Sequence, residues 1–242
     1  MPTHMRDRWR NRTEPAVGYG TVYWHVLMRD HPEAIAAVAE AQATLAAFPG
    51  FHLPPREWIR MTTCIAGSTT EISRDQMRAM LSHAQEALHG AAPAEVTVGR
   101  ILYHPEAIML AVEPRETLLP VLNAVADATE EIAHLEVSEN RRSAWTPHTT
   151  VAYSVSEQDV EPIAAALGPS VQPRSILIDT VTLIVQWGPE RTWDWEPIGQ
   201  STLGGDRTAV CACATNVGRP TTQRPVGPQE PGASRASLQN GV

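Results

Sequence analysis

Two short motifs place side chains that can bind anions and transfer protons on the same face of a strand. His148 and Thr150 lie two positions apart in a β-branched stretch, and alternation along a strand points positions i and i+2 to one side. Arg60 and Thr62 repeat this spacing 88 positions earlier. An imidazole that titrates near neutral pH, two hydroxyl donors and a guanidinium fork suit a phosphate group. The pattern predicts that these four side chains converge on one cleft.

The elements that must position these motifs occur in the same order twice. Each half of the chain has the hydrophobic pattern of helix, strand, helix, strand, strand. The helices are predicted over 31–48, 73–88, 115–133 and 157–167. Strands are predicted over 17–27, 57–66, 95–103, 107–112, 147–154, 175–186 and 191–198. A duplicated α+β domain with two facing lobes is implied, its halves at about 31–113 and 115–198.

The charge distribution limits the partners. All 19 basic residues are arginine, and the formal net charge of the 242 residues is −8. The part before residue 201 holds 15 arginines against 25 acidic residues, so it would repel long nucleic acid, whose affinity for proteins depends on many cation–phosphate contacts. A small phosphorylated or otherwise anionic molecule is still a suitable partner, because a few arginines in one cleft can outweigh the distant field. The sequence leaves the oligomeric state open.

The two ends of the chain differ in composition from the domain predicted over 17–200. Residues 1–16 are predicted to form a flexible basic arm, and residues 201–242, rich in Pro, Gly, Ser and Thr, a disordered tail. No apolar run approaches the roughly 18 residues that span a bilayer, and the Arg-rich start lacks the apolar stretch of a signal peptide. We therefore expect a cytoplasmic protein with no membrane partner.

The cysteines predict neither a disulfide framework nor a strong metal site. Cys64 lies in a predicted strand, and Cys211 and Cys213 lie in the tail with no further Cys or His nearby. Nothing in the sequence indicates a metal or an organic cofactor.

The second motif, Pro147-His148-Thr149-Thr150-Val151-Ala152-Tyr153-Ser154, resembles a motif of the 2H phosphoesterase superfamily. That group contains 2′-5′ RNA ligase-like proteins and cyclic nucleotide phosphodiesterases, and it is named for two His-x-Thr/Ser motifs placed symmetrically across a bilobal cleft. The resemblance covers about residues 17–200. The stretches Tyr23-Trp24-His25 and Arg191-Thr192-Trp193-Asp194-Trp195 are similar to actinobacterial members. The resemblance implies two antiparallel sheets with flanking helices around the cleft. It also implies a metal-independent phosphoesterase activity.

The first motif departs from the family pattern, because Arg60-Met61-Thr62 stands where the family has His-x-Thr. In the family, one histidine acts as a general base while the other protonates the leaving oxygen. Arginine cannot transfer a proton, since its pKa lies above about 12, but it can hold a phosphate with two hydrogen bonds. The resemblance thus implies His148 as general acid or base, Thr62 and Thr150 as further catalytic hydrogen-bond donors, and Arg60 as an anion clamp.

Other side chains are weaker candidates for contact with a substrate. We expect Tyr153, Trp145 and His25 to bind it, with Tyr103 and Trp58 as further stacking residues. His52 and His25 are the histidines that could stand in for the missing one, although each also suits an ordinary structural position. His104, in a predicted turn, is given no role.

Three functions follow for such a cleft. The first is a phosphoesterase running on His148 for a cyclic nucleotide or phosphodiester. The second is a phosphate- or nucleotide-binding module without turnover, and the third is a biosynthetic enzyme repurposed for cyclisation, isomerisation or group transfer. The altered first motif leaves all three open.

Overall fold

The computed structural model describes residues 1–10 and 12–204. The strands are β1 (His4–Met5), β2 (Gly20–Leu27), β3 (Phe51–His52), β4 (Arg60–Ser68), β5 (Ala94–His104), β6 (Ala107–Glu113), β7 (His148–Ser154), β8 (Gln158–Asp159), β9 (Ser170–Ile178), β10 (Thr180–Trp187) and β11 (Asp194–Thr202). The α-helices are α1 (Pro32–Leu45), α2 (Arg74–Leu88), α3 (Leu119–Ala133), α4 (Glu139–Ala144) and α5 (Val160–Leu167). None of these helices is both long and apolar enough to cross a membrane.

Local sequence signals explain where the helices begin and which face they bury. α1 begins at Pro32, whose missing N–H would have no intrahelical partner in the first turn. α2 begins with a capping box, in which Ser73 Oγ accepts from the Gln76 backbone N–H and Gln76 Oε1 accepts from the Ser73 backbone N–H. The buried face of α2 carries the apolar stripe that the periodicity predicts: Met77, Met80, Ala84 and Leu88.

Two antiparallel half-sheets meet at one residue pair. The order of the strands is β11-β10-β2-β4-β7-β6-β5-β9, with β3 pairing with β7 beside this path. Within the described chain, β4 and β7 pair only through Met61 and Thr149. We call β11, β10, β2 and β4 with α2 and α3 lobe 1, and β7, β6, β5 and β9 with α1 and α5 lobe 2. Each lobe packs its helices onto its own apolar core, so the α+β bilobal fold with antiparallel sheets is confirmed.

The duplication is present, but its halves do not coincide with the lobes. By position in the sheet, β2 and β4 of lobe 1 correspond to β6 and β7 of lobe 2. The chain from β2 to β5 nevertheless sends α1 and β5 into lobe 2, and the chain from β6 to β10 sends α3 and β10 into lobe 1. The lobe boundaries expected at 31–113 and 115–198 are therefore corrected, because each half of the chain builds part of both lobes.

The strand predicted over 175–186 is two strands. β9 pairs with β5 at the edge of lobe 2, whereas β10 pairs with β2 and β11 in lobe 1. The chain passes between the lobes at Asp179, the one charged residue in the stretch 175–186, which is otherwise rich in apolar and β-branched residues.

The N-terminal segment is part of the folded unit rather than a loose arm. β1 pairs with β8, and the side chains of Met5 and Trp9 are buried. Four arginines of this segment each have a carboxylate partner on the domain. At the other end, β11 continues to Thr202 and Leu203 is buried, so the expected tail begins later than residue 201. The rest of that tail, with Cys211 and Cys213, lies outside the described residues.

The junction between the lobes gives a stability prediction. Thr149 is fully buried, and its hydroxyl donates to the Arg60 carbonyl at 3.0 Å. Replacing it with Val keeps the shape but leaves a buried carbonyl without this donor, so we expect a loss of about 1–3 kcal/mol in the free energy of unfolding. Urea denaturation of Thr149→Val and of wild type measures this difference in the free energy of unfolding. Thr149→Ser, which keeps the hydroxyl, is the control; equal losses in both variants would contradict the role of the hydrogen bond.

Candidate functional site

A cavity of about 880 Å³ lies where the two lobes meet. Both lobes line it, together with residues 8 and 12–15 of the N-terminal segment and residues around 141–146 that precede β7. Six of the seven residues that the sequence analysis selects are among its walls: Arg60, Thr62, Trp145, His148, Thr150 and Tyr153. The seventh, His25, is not.

The central pair of the sheet fixes how the two motifs face each other. Met61 and Thr149 lie 88 positions apart, which is the offset between the motifs, so this pair sits at the centre of the duplication. Both are fully buried, and their neighbours in each strand point to the opposite face. The register set by this pair places Thr62 beside His148 and Arg60 beside Thr150. All four residues line the cavity, so this register brings the two motifs to one site.

His148 is held with one ring nitrogen available to a ligand. Its Nδ1 lies 2.7 Å from the Thr146 carbonyl oxygen, an acceptor, so Nδ1 carries the proton and Nε2 of the neutral ring is an acceptor. Burial lowers the pKa of His148, and the positive charges of Arg8 and Arg60 add to this, although the bond to Thr146 opposes it. These effects favour the neutral imidazole at neutral pH, which is the form that can act as a general base.

The hydroxyls of Thr62 and Thr150 are available for a ligand. Both side chains are half-buried on the cavity wall, and no hydrogen bond within the described chain engages either hydroxyl. The Thr62 carbonyl accepts from the Trp145 indole N–H at 3.0 Å, which fastens the segment before β7 to lobe 1.

Arg60 is oriented by several neighbours at once. Its Nη2 lies 3.1 Å from Glu190 Oε1, and its Nη1 donates to the Trp58 carbonyl at 3.2 Å. The guanidinium also lies over the ring of Trp195 at 4.9 Å and that of Trp193 at 5.5 Å. Such contacts hold a planar cation in one place on the cavity wall, and the guanidinium has more N–H donors than these two hydrogen bonds use.

Among the charged residues of the lining that the sequence does not single out, Arg8 and Glu190 form an ion pair. Arg8 comes from the N-terminal segment, and Glu190 from the short 3₁₀ helix Glu190–Thr192 after β10; both line the cavity. Burial alone would raise the pKa of Glu190, but hydrogen bonds and charge from Arg8, with the charge of Arg60, hold it below its usual range. The only signal for Arg8 is the alternation of arginines around Trp9. No local pattern marks Glu190, whose partners lie 130 and 182 positions away.

His104, which the sequence analysis set aside, also lines the cavity. Its Nδ1 accepts from the Glu106 backbone N–H at 3.2 Å, so the neutral ring carries its proton on Nε2. Burial lowers its pKa. His104 is therefore a neutral hydrogen-bond donor, the opposite of the acceptor that His148 presents.

His25 does not contact the cavity, which corrects the expectation that it binds a substrate. Its ring is buried between Tyr23, at 5.0 Å, and Trp195, at 5.4 Å, and burial holds its pKa well below the usual range. Tyr23 and His25 lie two positions apart on one face of β2, and it is the packing of the Tyr23 and Trp195 rings around His25 that keeps it from the cavity. Tyr23, which His25 supports from behind, is the cavity residue. His52 likewise packs against Trp9 and Trp193 outside the lining.

Three other aromatic candidates also lie on the cavity wall. Tyr153, Tyr103 and Trp58 line the cavity, and the Arg8 guanidinium lies 4.6 Å above the ring of Tyr153. The lining carries five arginines and two glutamates, so it is positive in a chain whose net charge is −8. Among the described residues, no group of three His, Cys, Asp or Glu side chains is arranged to hold a metal ion. The site combines a proton acceptor, free hydroxyls and guanidinium groups, which together can bind an oxyanion and accept a proton.

Comparison with solved structures finds the same fold in bacterial proteins. TT0787 of Thermus thermophilus is 16% identical over 77% of this chain and 99% of its own, with a TM-score of 0.55. E. coli LigT complexed with 3′-AMP gives 12% identity, the same coverage and the same TM-score. A protein described only as a phosphoesterase is 14% identical, with coverage of 77% and 99% and a TM-score of 0.58. A search of curated proteins finds no significant match.

A family model matches the sequence directly. The model of the 2′-5′ RNA ligase superfamily matches residues 68–189, about half of the chain. The match includes His148 and Thr150 but begins after Arg60 and Thr62, so it does not test the first motif. With the bilobal fold and the position of the second motif, this match identifies the chain as a member of the 2′-5′ RNA ligase superfamily, the 2H phosphoesterases.

Proposed function

We propose that this protein is a metal-independent phosphoesterase that acts on a small phosphorylated or otherwise anionic metabolite of the cyclic nucleotide or phosphodiester class. The observation that carries the proposal is the state of His148. Its Nδ1 is committed to the Thr146 carbonyl, its Nε2 is an acceptor, and unengaged hydroxyls of Thr62 and Thr150 lie beside it. Superfamily membership supports phosphoesterase-like chemistry.

In this proposal, charge stabilisation and proton transfer are carried out by different residues of the site. Arg60, Thr62 and Thr150 bind the non-bridging phosphoryl oxygens and stabilise the charge that grows on them. His148 Nε2 takes a proton from the attacking water as the new P–O bond forms and the bond to the leaving oxygen breaks. Because Arg60 cannot donate a proton, the leaving oxygen takes its proton from solvent. The proposal therefore implies a slower reaction than one with a histidine at both positions.

The charge of the cavity supports an anionic substrate of modest size. Five arginines and two glutamates line about 880 Å³, a volume suited to a small molecule rather than a polymer. Aromatic rings such as Tyr23 and Trp58 offer surfaces on which a base could stack. E. coli LigT has been crystallised with 3′-AMP, ATP, NADP+ and phosphate, and the shared fold favours ligands of that kind here.

The second candidate is a cleft that binds without hydrolysis or that serves another reaction on an anionic metabolite. Arg60 favours it, because this residue replaces a proton-transfer group and is already paired with Glu190. Binding of a nucleotide without product formation would distinguish it from the phosphoesterase.

Removing His148 tests the proposed mechanism. We expect His148→Ala to lower turnover of 2′,3′-cyclic nucleotides or linear phosphodiesters by about 10²- to 10⁴-fold, the usual contribution of a general acid or base. Steady-state assays across a panel of these substrates measure it. His83→Ala, on α2 and outside the cavity lining, is the matched control. Unchanged turnover in His148→Ala would remove this residue from the mechanism.

Restoring the family motif tests the role of Arg60. If Arg60 is the anion clamp, Arg60→His raises KM on the same substrates, because it removes a permanent charge and a two-pronged donor. Arg60→Lys, which keeps the charge without the fork, is the intermediate control. An inert wild type combined with a gain in turnover of about 10²-fold or more in Arg60→His would instead support the non-hydrolytic candidate.

The titration of His148 gives an independent check. We expect NMR to report a pKa below the usual value of about 6.5, since burial and neighbouring arginines disfavour the charged ring. The base form then persists at neutral pH, and turnover falls only as the pH drops through the lowered pKa. Arg60→Gln removes one positive charge and should raise this pKa, whereas Arg10→Gln, at an exposed pair with Glu157, should not. A pKa at or above the usual value in wild type would contradict the environment described here.

A further inference from the structure

Glu190 places one carboxylate oxygen between two arginines of the cavity. Its Oε1 lies 3.1 Å from Nη2 of Arg60 and 3.1 Å from Nη2 of Arg8, and its Oε2 lies 2.9 Å from Nε of Arg8. Two guanidinium groups from distant parts of the chain therefore donate to a single oxygen position. A phosphoryl oxygen is the same kind of acceptor and takes the same geometry from arginine.

Both arginines have supports that do not depend on Glu190. The backbone N–H of Arg8 donates to the Ser154 carbonyl at 3.0 Å, and its guanidinium lies over Tyr153. Arg60 keeps its bond to the Trp58 carbonyl and its stacking on two tryptophans. If the carboxylate left, the two cations would therefore stay in place with space for one acceptor between them.

Charge and burial favour replacement of the carboxylate by a stronger anion. The side chains of Arg8 and Arg60 are only 18% and 13% exposed, so water screens their charges poorly. Glu190 supplies one negative charge to two positive ones. Glu106, at 3.8 Å from Arg8 Nη1, contributes weakly because it also pairs with Arg6 and Arg12. A phosphate, with up to two negative charges and several acceptor oxygens, matches the pair better than one carboxylate does.

We propose that Arg8 and Arg60 form a two-arginine oxyanion site that Glu190 occupies until the anionic group of the ligand displaces it. Arg8 then binds the substrate directly, so the N-terminal segment contributes a binding residue to the site. Glu190 sets the threshold for entry, because only a group that binds both arginines better than a carboxylate does replaces it. The nature of the ligand rests on the proposed function, whereas the site itself rests on the contacts of Glu190.

Calorimetric titration with inorganic phosphate and with 3′-AMP tests this site in the full chain. Glu190→Gln keeps the size of the side chain but removes the competing charge, so we expect both probes to bind about ten-fold tighter. Arg8→Gln removes half of the site, and we expect about ten-fold weaker binding. Arg10→Gln, which removes an arginine of the same segment from an exposed pair, is the matched control and should bind like wild type.

A variant that combines Glu190→Gln with Arg60→Gln shows whether the tighter binding expected for Glu190→Gln arises at the site shared by Arg8 and Arg60. The tighter binding should shrink or vanish when Arg60 is absent, because competition for that guanidinium is its cause. Circular dichroism reports whether each variant is folded. If Glu190→Gln does not fold, Glu190→Asp replaces it. The shorter side chain keeps the charge but withdraws from Arg60, so a smaller increase in affinity for the two probes is expected. Equal or weaker binding by a folded Glu190 variant would overturn the proposal.

Turnover assays on the same variants separate this inference from the proposed function. Tighter binding in Glu190→Gln without phosphoester hydrolysis by any variant supports the oxyanion site and contradicts the phosphoesterase. Hydrolysis by wild type with no change of affinity in Glu190→Gln supports the enzyme and overturns the role of Glu190.

Discussion

The site depends on a single contact between two half-sheets. Met61 and Thr149 pair at the centre of the sheet, and the Thr149 hydroxyl adds a bond to the Arg60 carbonyl. Since side chains alternate along a strand, fixing these two residues toward the interior turns both neighbours in each strand toward the cavity. A slip of one residue on either side would send a motif into the core. The chemistry of the cleft is therefore set by the register of one buried pair.

Carboxylates determine how the N-terminal segment closes the cavity. Glu106 is largely buried and pairs with Arg6 and Arg12, while Glu190 pairs with Arg8. Exposed ion pairs contribute little to stability, but a buried carboxylate surrounded by guanidinium groups is costly to leave unpaired. Burial of Trp9 adds apolar contact to these pairs. The acidic residues of the domain, whose excess argues against binding of nucleic acid, thus also hold the basic N-terminal segment against the cavity.

The sequence predicts the parts of this molecule that follow from periodicity, and it does not predict those that depend on distant pairing. The repeated motifs, the helix faces and the bilobal class all follow from spacing, and the structure confirms the fold. Pairs such as Arg8 with Glu190, 182 positions apart, leave no periodic trace. The passage of the chain between lobes at Asp179 is hidden because both strands beside it are apolar. His25 lies outside the cavity because the rings of Tyr23 and Trp195 enclose it, and packing of this kind leaves no trace in the local pattern.

Arg60 stands where the family resemblance leads us to expect a histidine, and its charge affects more than one position in the cleft. A permanent cation beside His148 disfavours protonation of that imidazole, so the two motifs no longer offer two interchangeable acid and base groups. They offer a fixed charge and a neutral acceptor. A largely buried guanidinium also requires a negative partner, which Glu190 supplies at 3.1 Å. Arg60, Glu190 and Arg8 therefore form one electrostatic unit, and the anion binding proposed above is expected to be coupled to the protonation state of His148.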